Sequence, residues 1–216
     1  SSDTRVRPAH AAHFPSVDFY LDETLLDDSL DSREVQDYTN TTPGQHIVKL
    51  RRVGAAPNAQ PLFTAPVNLP AGRDYTLIIV GQPGALGVVV VDETAASAPP
   101  AGQALIHYVN ANRAEPGWGL SAIDVYLDGV LRVSGLGLGA SSPYTPIAPG
   151  QHTVQFFQAG VTPTTGQPLA EKQFVAVAGQ ALLAGTGRHD DDDGDLGDFE
   201  QRAFIGADQI RLGEVL

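Results

Sequence analysis

The sequence contains an internal repeat of about one hundred residues, and a repeat determines the number of domains more firmly than composition does. Residues 17–22 read VDFYLD and residues 123–128 read IDVYLD, so that Tyr20 and Tyr126 are 106 positions apart. Later matches in the same order join Tyr38 to Tyr144, Pro-Gly-Gln-His at 43–46 to the same four residues at 149–152, and Ala-Gly at 71–72 to Ala-Gly at 178–179. We therefore predict two copies of one domain, residues 1–97 and residues 98–216.

Each copy has the pattern of short β-strands. In residues 17–22 apolar side chains alternate with Asp18, Tyr20 and Asp22, which is the period of a half-buried strand. The 23 glycines and 16 prolines of the chain provide many turns. Further strands are expected at residues 47–50, 65–69, 75–80 and 87–91. The predicted fold class is all-β, with two tandem antiparallel β-sandwiches of the immunoglobulin-like type joined by a proline-stiffened linker at residues 95–102.

Several short motifs of the first copy occur in a fixed order. They are Arg-Val-Arg at 5–7, His-Ala at 10–11, the strand at 17–20, Pro-Gly-x-x-x-Val from 43 and Ala-Gly-x-x-Tyr-Thr from 71. This order resembles a bacterial family of exported tandem repeats known as domain of unknown function 4397, over roughly residues 4–187. The resemblance implies a cell-envelope or secreted sandwich module, often lipid-anchored, and brings no catalytic residues. The second copy departs from the pattern, because Asn110 stands where the first copy has His10.

The start of the chain is typical of an exported protein. It begins Ser1-Ser2-Asp3 and contains no methionine, so we expect a cleaved signal peptide upstream, although a trimmed chain would begin in the same way. A lipid-modified cysteine before Ser1 would also suit these residues. The expected location is the cell surface, the outer envelope or the periplasm. The longest apolar runs, such as residues 88–91, are too short to cross a bilayer, and no transmembrane segment is predicted.

The composition excludes several classes of function. The net charge of −12 opposes binding to nucleic acid or to anionic lipid, and it favours cations. The absence of cysteine excludes disulfides, thiolate metal sites and cysteine nucleophiles from residues 1–216. No Gly-x-Ser-x-Gly elbow or Gly-Lys-Ser/Thr phosphate loop occurs, and the glycine-rich run at 135–139 is interpreted as a strand edge or bulge.

The acidic segment at residues 189–200 resembles a twelve-residue calcium loop. With His189 as position 1, acidic residues occupy positions 3, 5 and 12, and Gly194 occupies the turn position 6. His189 stands at position 1, where a calcium loop has an aspartate. Strand-like sequence also precedes the segment, where a calcium-binding hand has a helix. The segment therefore predicts either a Ca²⁺ site or a solvated acidic loop. The candidate ligands are His189, Asp191, Asp193, Asp195 and Glu200.

His10 and His13 form a second candidate metal site, in the loop between the first two strands. Two imidazoles three residues apart can bind one Zn²⁺ or Cu²⁺ when the loop curls, but no third ligand is identifiable. Copper superoxide dismutases are also exported β-sandwiches, and residues 194–197 are similar to part of their zinc loop. The His-x-His copper pair of those enzymes is missing from this sequence. A metal-dependent redox enzyme such as a copper superoxide dismutase is therefore kept as the alternative to a non-catalytic module. His46 and His152, at equivalent places in the repeat, are interpreted as packing or turn residues.

Trp118 is the only tryptophan, and it lies in an insertion at 115–119 that the first copy lacks. An exposed tryptophan is a natural interface anchor, whereas a buried one would cover its own sandwich. We therefore predict a non-catalytic binding or structural module, an accessory subunit of a surface assembly. Its expected partner is a cell-envelope protein or a glycan, with Trp118 and the C-terminal segment in the contact. The apolar residues within 199–216 would either close the second sandwich or dock on another chain.

Overall fold

The computed structural model describes residues 3–12, 14–32, 34–82, 84–94, 98–113, 120–190 and 199–209, with backbone only at 188–190, 199–203 and 206–209. The chain divides into two compact units, Ser1–Thr94 and Ala95–Leu216. In the described part of each unit, eight strands form two four-stranded sheets. No described residue is helical, and no helix of the length and hydropathy needed to span a membrane occurs in those ranges. The predicted all-β class is confirmed.

The first unit contains strands β1 to β8. Their bounds are β1 (Thr4–His10), β2 (Val17–Leu21), β3 (Thr24–Leu30), β4 (Thr39–Thr41), β5 (Gly44–Arg52), β6 (Phe63–Leu69), β7 (Asp74–Val80) and β8 (Gly87–Asp92). One sheet has the order β4-β1-β7-β8, and the other has the order β3-β2-β5-β6.

The second unit repeats this arrangement strand for strand. Its strands are β9 (Ala104–Asn110), β10 (Ala122–Leu127), β11 (Val130–Gly137), β12 (Thr145–Ile147), β13 (Gly150–Gln158), β14 (Ala170–Ala176), β15 (Gln180–Asp190) and β16 (Phe199–Gln209). The sheet orders are β12-β9-β15-β16 and β11-β10-β13-β14, which are the orders of the first unit advanced by eight. The repeat therefore specifies one topology twice, as the matched motifs predict.

Each sandwich contains one parallel strand pair, which an entirely antiparallel prediction misses. Strand β1 pairs parallel with β7, and β9 pairs parallel with β15, while the other strand pairs are antiparallel within the described residues. The first strand of each unit lies between the fourth and seventh strands of that unit. It therefore runs antiparallel to one neighbour and parallel to the other.

The core of each unit lies between its two sheets, because each cluster of buried apolar side chains draws on both. In the first unit the cluster includes Val6, Phe19, Leu50, Leu77 and Ile79. In the second it includes Ile106, Ile123, Val125, Phe156 and Leu182. Burial of such side chains is the main favourable contribution to folding.

Strand β2 is buried along its whole length, although its alternating pattern predicts one solvent-facing side. Asp18 and Tyr20 are buried together with the apolar residues of the strand. The residues after β5 explain part of this burial, since Gly54 N–H bonds the Asp18 carboxylate and the Ala59 carbonyl bonds Arg51. A short loop thus covers polar residues that the pattern assigns to solvent.

The segment after residue 198 forms β16 and completes the second sandwich. It pairs with β15 over eleven positions, from Gln180 opposite Gln209 to Asp190 opposite Phe199. Phe204 lies directly over Gly185, where an added Cβ would come within 2.2 Å of the phenyl ring. The sequence left two roles open for this segment, and in the structure its described residues complete their own sheet.

Candidate functional site

An aspartate–histidine pair holds the same turn in each repeat. In the first unit Asp22 follows β2 with a positive φ of 55°, and its Oδ2 lies 2.7 Å from Nδ1 of His46 on β5. The other ring nitrogen, Nε2, lies 2.7 Å from the carbonyl oxygen of Thr42. Ile47 N–H donates to Asp22 Oδ1 at 2.8 Å. The pair fixes the β2–β3 turn against the start of β5.

We call this aspartate–histidine pair, with its bonds to the backbone, the clamp. The second unit reproduces the clamp with Asp128 and His152. Their side chains are joined at 2.6 Å, His152 Nε2 is 2.8 Å from the Ala148 carbonyl, and Thr153 N–H donates to Asp128 Oδ1 at 2.8 Å. Burial opposes the charged imidazole, but the bonds to Asp128 and Ala148 outweigh it and raise the pKa of His152. For Asp128, bonds from His152 and Thr153 outweigh the opposing effect of burial and lower the pKa.

Both ring nitrogens of each clamp histidine face oxygen acceptors. In His152 the carboxylate and the carbonyl each require a donated N–H, which is the pattern of a charged imidazolium. His46 has the same two kinds of acceptor. The sequence left packing and turn roles open for His46 and His152, and in the structure both histidines bond the turn.

The second clamp gives a pH-dependent stability, which we expect to be largest between about pH 4 and pH 6.5. The contribution of His152 is complete below its usual pKa and is lost as the pH rises through its raised folded value. The contribution of Asp128 is present above its usual pKa and is lost as the pH falls through its lowered folded value. His152→Gln should therefore destabilise the second unit by about 1 kcal/mol near pH 5.5, a modest figure because Asp128 is half-exposed. Melting curves from pH 5 to pH 8 measure this, with Gln151→Ala on the same strand as the control, and a variant that keeps the parent's pH profile would contradict it.

A buried carboxylate joins a sheet bulge to a loop in the second unit. Asp124 on β10 accepts hydrogen bonds from Ser134 Oγ at 3.1 Å and from Gly135 N–H at 2.7 Å, at a register shift in β11. Its other oxygen accepts Gly160 N–H at 2.8 Å. Burial opposes ionisation, but these three bonds outweigh it and lower the pKa of Asp124. Every side-chain oxygen of this carboxylate thus has a donor.

Asp18 occupies the equivalent position in the first unit, with one oxygen unsatisfied. Its Oδ2 accepts Gly54 N–H at 3.0 Å, as Asp124 does from Gly160. Its Oδ1 is buried and has no hydrogen-bond partner. Strand β3 places Asp28 opposite Asp18, where the second unit has Ser134.

The neighbouring positions on the same sheet also differ between the units. Arg51 lies over the Tyr20 ring at 4.5 Å, and its Nε donates to the Ala59 carbonyl at 3.1 Å. In the second unit Phe157 replaces the arginine and meets Tyr126 edge to face at 5.2 Å. A cation–π pair in one repeat therefore corresponds to an aromatic pair in the other.

A buried ionic network distinguishes the other sheet of the first unit. Arg7 on β1 donates to Thr76 at 2.9 Å and pairs with Glu93 at 3.4 Å. Tyr38 lies 4.6 Å from the Arg7 guanidinium. Its repeat counterpart, Tyr144, instead stacks on His107 at 4.3 Å. The tyrosine that both copies share therefore contacts an arginine in the first unit and a histidine in the second.

His10 lies at the end of β1 and is 1% exposed. Its Nδ1 accepts Ala12 N–H at 3.3 Å, and its Nε2 lies 3.3 Å from the Pro15 carbonyl. His13 is outside the described residues. Across the parts of the chain that the structure describes, no three His, Asp or Glu side chains are grouped so that they could hold a metal ion. The site proposed for this pair stays a prediction.

The candidate ligands of the acidic loop are described only at its base. His189 and Glu200 are directly opposite in the β15–β16 register, so the hairpin brings the two ends of the segment together. Asp191, Asp193 and Asp195 lie outside the described residues, and so does Trp118.

Sequence reasoning missed the buried polar positions Asp18, Arg51, Arg7 and Glu93. A signal for the first was available, because the same aspartate recurs at Asp124 in the middle of a matched strand motif. An acidic residue that two otherwise divergent copies both retain inside a strand indicates a structural bond.

Comparison with known proteins gives the family of the chain. No curated protein matches the sequence. The family described as Domain of unknown function (DUF4397) matches residues 4–117, which run from β1 through β9. This region is shorter than the 4–187 over which the motifs resemble the family, yet it covers more than half of the 216 residues. The chain therefore belongs to the domain of unknown function 4397 family.

Proposed function

We propose that the chain is a non-catalytic binding or structural module of the cell envelope, exported and acting as an accessory subunit of a surface assembly. Its partner is a cell-envelope protein or a glycan. A lipid anchor upstream of Ser1 and a structural cation in the acidic loop at 189–200 are parts of the same proposal.

The observation that carries this proposal is the use of the polar residues that the two copies share. Asp22 with His46, and Asp128 with His152, join turns to strands. Asp124 joins a bulge to a loop. Residues of the types that perform acid–base chemistry are thus engaged in holding backbone, which suits a rigid scaffold. The net charge of −12 supports a partner other than nucleic acid.

Metal analysis of the purified full chain separates this proposal from the redox alternative. Copper or iron at one equivalent per chain would overturn the module in favour of an enzyme. Calcium in the acidic loop would agree with the module, because a structural cation is part of it.

Trp118→Ala is expected to weaken binding to envelopes isolated from the source organism by at least about tenfold, because a buried tryptophan anchor often dominates an interface. Saturation binding of labelled full-length protein, competed by unlabelled protein, measures the effect. Val130→Ala is the matched control, since Val130 belongs to the same unit and is 56% exposed. Unchanged binding, or loss of the second unit's circular dichroism signal, would contradict the role given to Trp118.

A further inference from the structure

The two repeats differ in the hydrogen bonds that the same buried carboxylate accepts. In the second unit, Ser134 Oγ and Gly135 N–H bond Asp124 Oδ1. In the first unit, Asp18 Oδ1 has no partner and Asp18 is 4% exposed. The other oxygen of each aspartate bonds a loop glycine in the same way, so the free oxygen of Asp18 corresponds to the oxygen of Asp124 that β11 bonds in the second unit.

The residue that faces Asp18 from β3 is another acid. Asp28 is the cross-strand partner of Asp18, in the position from which Ser134 reaches Asp124 at 3.1 Å. Like charges directly opposite each other in a sheet are destabilising, and a buried carboxylate oxygen without a donor adds a desolvation penalty. Two unfavourable features therefore coincide at one point of the first unit and are absent at the matched point of the second.

Further acidic residues surround this point. Partial burial, followed by the charges of Glu34, Asp28, Asp18 and Asp31, raises the pKa of Asp27. Arg51 on β5 is opposite Asp18 in the register, but it makes no hydrogen bond to that carboxylate. Its guanidinium stacks on Tyr20, its Nε donates to the Ala59 carbonyl, and its buried Nη1 has no hydrogen-bond partner. Strand β3 bulges beside Asp18, where its register with β2 shifts. Five acidic side chains around one arginine make the local field at this β3 bulge negative. Asp28 is exposed, which leaves a path from solvent.

We propose that the β3 bulge of the first unit binds a Ca²⁺ ion between the carboxylates of Asp18 and Asp28. A divalent cation removes both penalties at once, because it gives Asp18 Oδ1 a partner and turns a repulsive carboxylate pair into a bridging one. Hard oxygen ligands suit Ca²⁺, which also accepts backbone carbonyls and water. No third Asp, Glu or His of the described chain completes a cage, so water and backbone oxygens supply the remaining ligands. The expected Kd is therefore weak, about 0.1–1 mM.

This site uses residues of the first unit, whereas the acidic loop at 189–200 belongs to the second, and the experiment distinguishes binding by the two. All measurements use the full chain carrying Asp193→Asn and Asp195→Asn, which weakens any binding by the loop. Calorimetric titration with CaCl₂ gives the Kd, and melting in EDTA and in about 10 mM CaCl₂ gives the stability change. We expect Ca²⁺ to raise the melting temperature of the first unit by roughly 5–20 °C.

Asp28→Ser gives the first unit the residue that the second unit has at this position, Ser134, and so replaces a second acid with a hydroxyl donor. It should weaken Ca²⁺ binding at least about tenfold and should raise the melting temperature of the first unit in EDTA, where the repulsion is uncompensated. The matched control is Asp92→Asn, which removes the same charge from β8 in the other sheet and should leave Ca²⁺ binding unchanged.

Three results would overturn the proposal. The first is no response of the first unit to Ca²⁺, and the second is a response that Asp28→Ser retains. The third is a gain of stability in Asp28→Ser without any Ca²⁺ response in the parent, since a proton shared by the two carboxyl groups would then explain the pair.

Discussion

Phe19→Ala is expected to lower the free energy of unfolding of the first unit by about 3–5 kcal/mol. Phe19 on β2 is fully buried in the core between the two sheets, and its removal leaves a cavity that the paired strands close only in part. Each unit has a core cluster of its own residues. We therefore expect the second unit to keep its own transition.

Differential scanning calorimetry measures both transitions, and the fluorescence of Trp118 identifies the one that belongs to the second unit. Val125→Ala is the reciprocal variant, because Val125 is the repeat counterpart of Phe19 and is also fully buried. It should lower only the second unit's transition, by a smaller amount, since it removes fewer atoms. Equal shifts of both transitions in either variant would show that the units unfold as one.

Asp124→Ala should destabilise the second unit by about 3 kcal/mol. The change removes the acceptor for Gly135 N–H, Gly160 N–H and the Ser134 hydroxyl, and it leaves partly buried donors without partners. The folded pKa of Asp124 is lowered, so its contribution is present at neutral pH and is lost as the pH falls through that value. The difference between parent and variant should therefore shrink in acid.

Asp18→Ala in the first unit is the matched comparison for that prediction. Asp18 accepts one hydrogen bond, from Gly54, and opposes Asp28, so its removal in EDTA should cost about 1 kcal/mol or less. Urea unfolding at pH 7 measures both variants. Equal losses in the two units would mean that the Ser134 and Gly135 bonds add no stability.

The two copies share a strand topology but differ in their polar contacts. The clamp aspartates and histidines are kept, whereas Arg51 corresponds to Phe157 and Asp28 corresponds to Ser134. A duplicated scaffold can change such positions one copy at a time, because strand pairing depends on backbone groups that both copies retain. The chemistry specific to one unit is therefore best sought where the matched positions differ.

The internal repeat and its strand periodicity determined the all-β class and the shared strand order. Tyr20 and Tyr126 fall on equivalent strands because the motif around them repeats at a spacing of 106. Their register is fixed because a slip of one residue would turn the side chains of that strand to the opposite face. The same spacing located His46 and His152 at equivalent turns. Local pattern was sufficient for these features because they depend on neighbours in the chain.

Only the tertiary structure decided which polar residues are buried and what they contact. Asp18 reads as a solvent-facing residue of an alternating strand, and its burial depends on Gly54, 36 positions later, and on the bulged strand β3. Strand β3 itself was missed because Asp27 and Asp28 break the alternation and the register shifts twice. The parallel pairing of β1 with β7 likewise joins residues 69 positions apart. Such contacts are set by packing between distant segments, and no periodicity within a single strand encodes them.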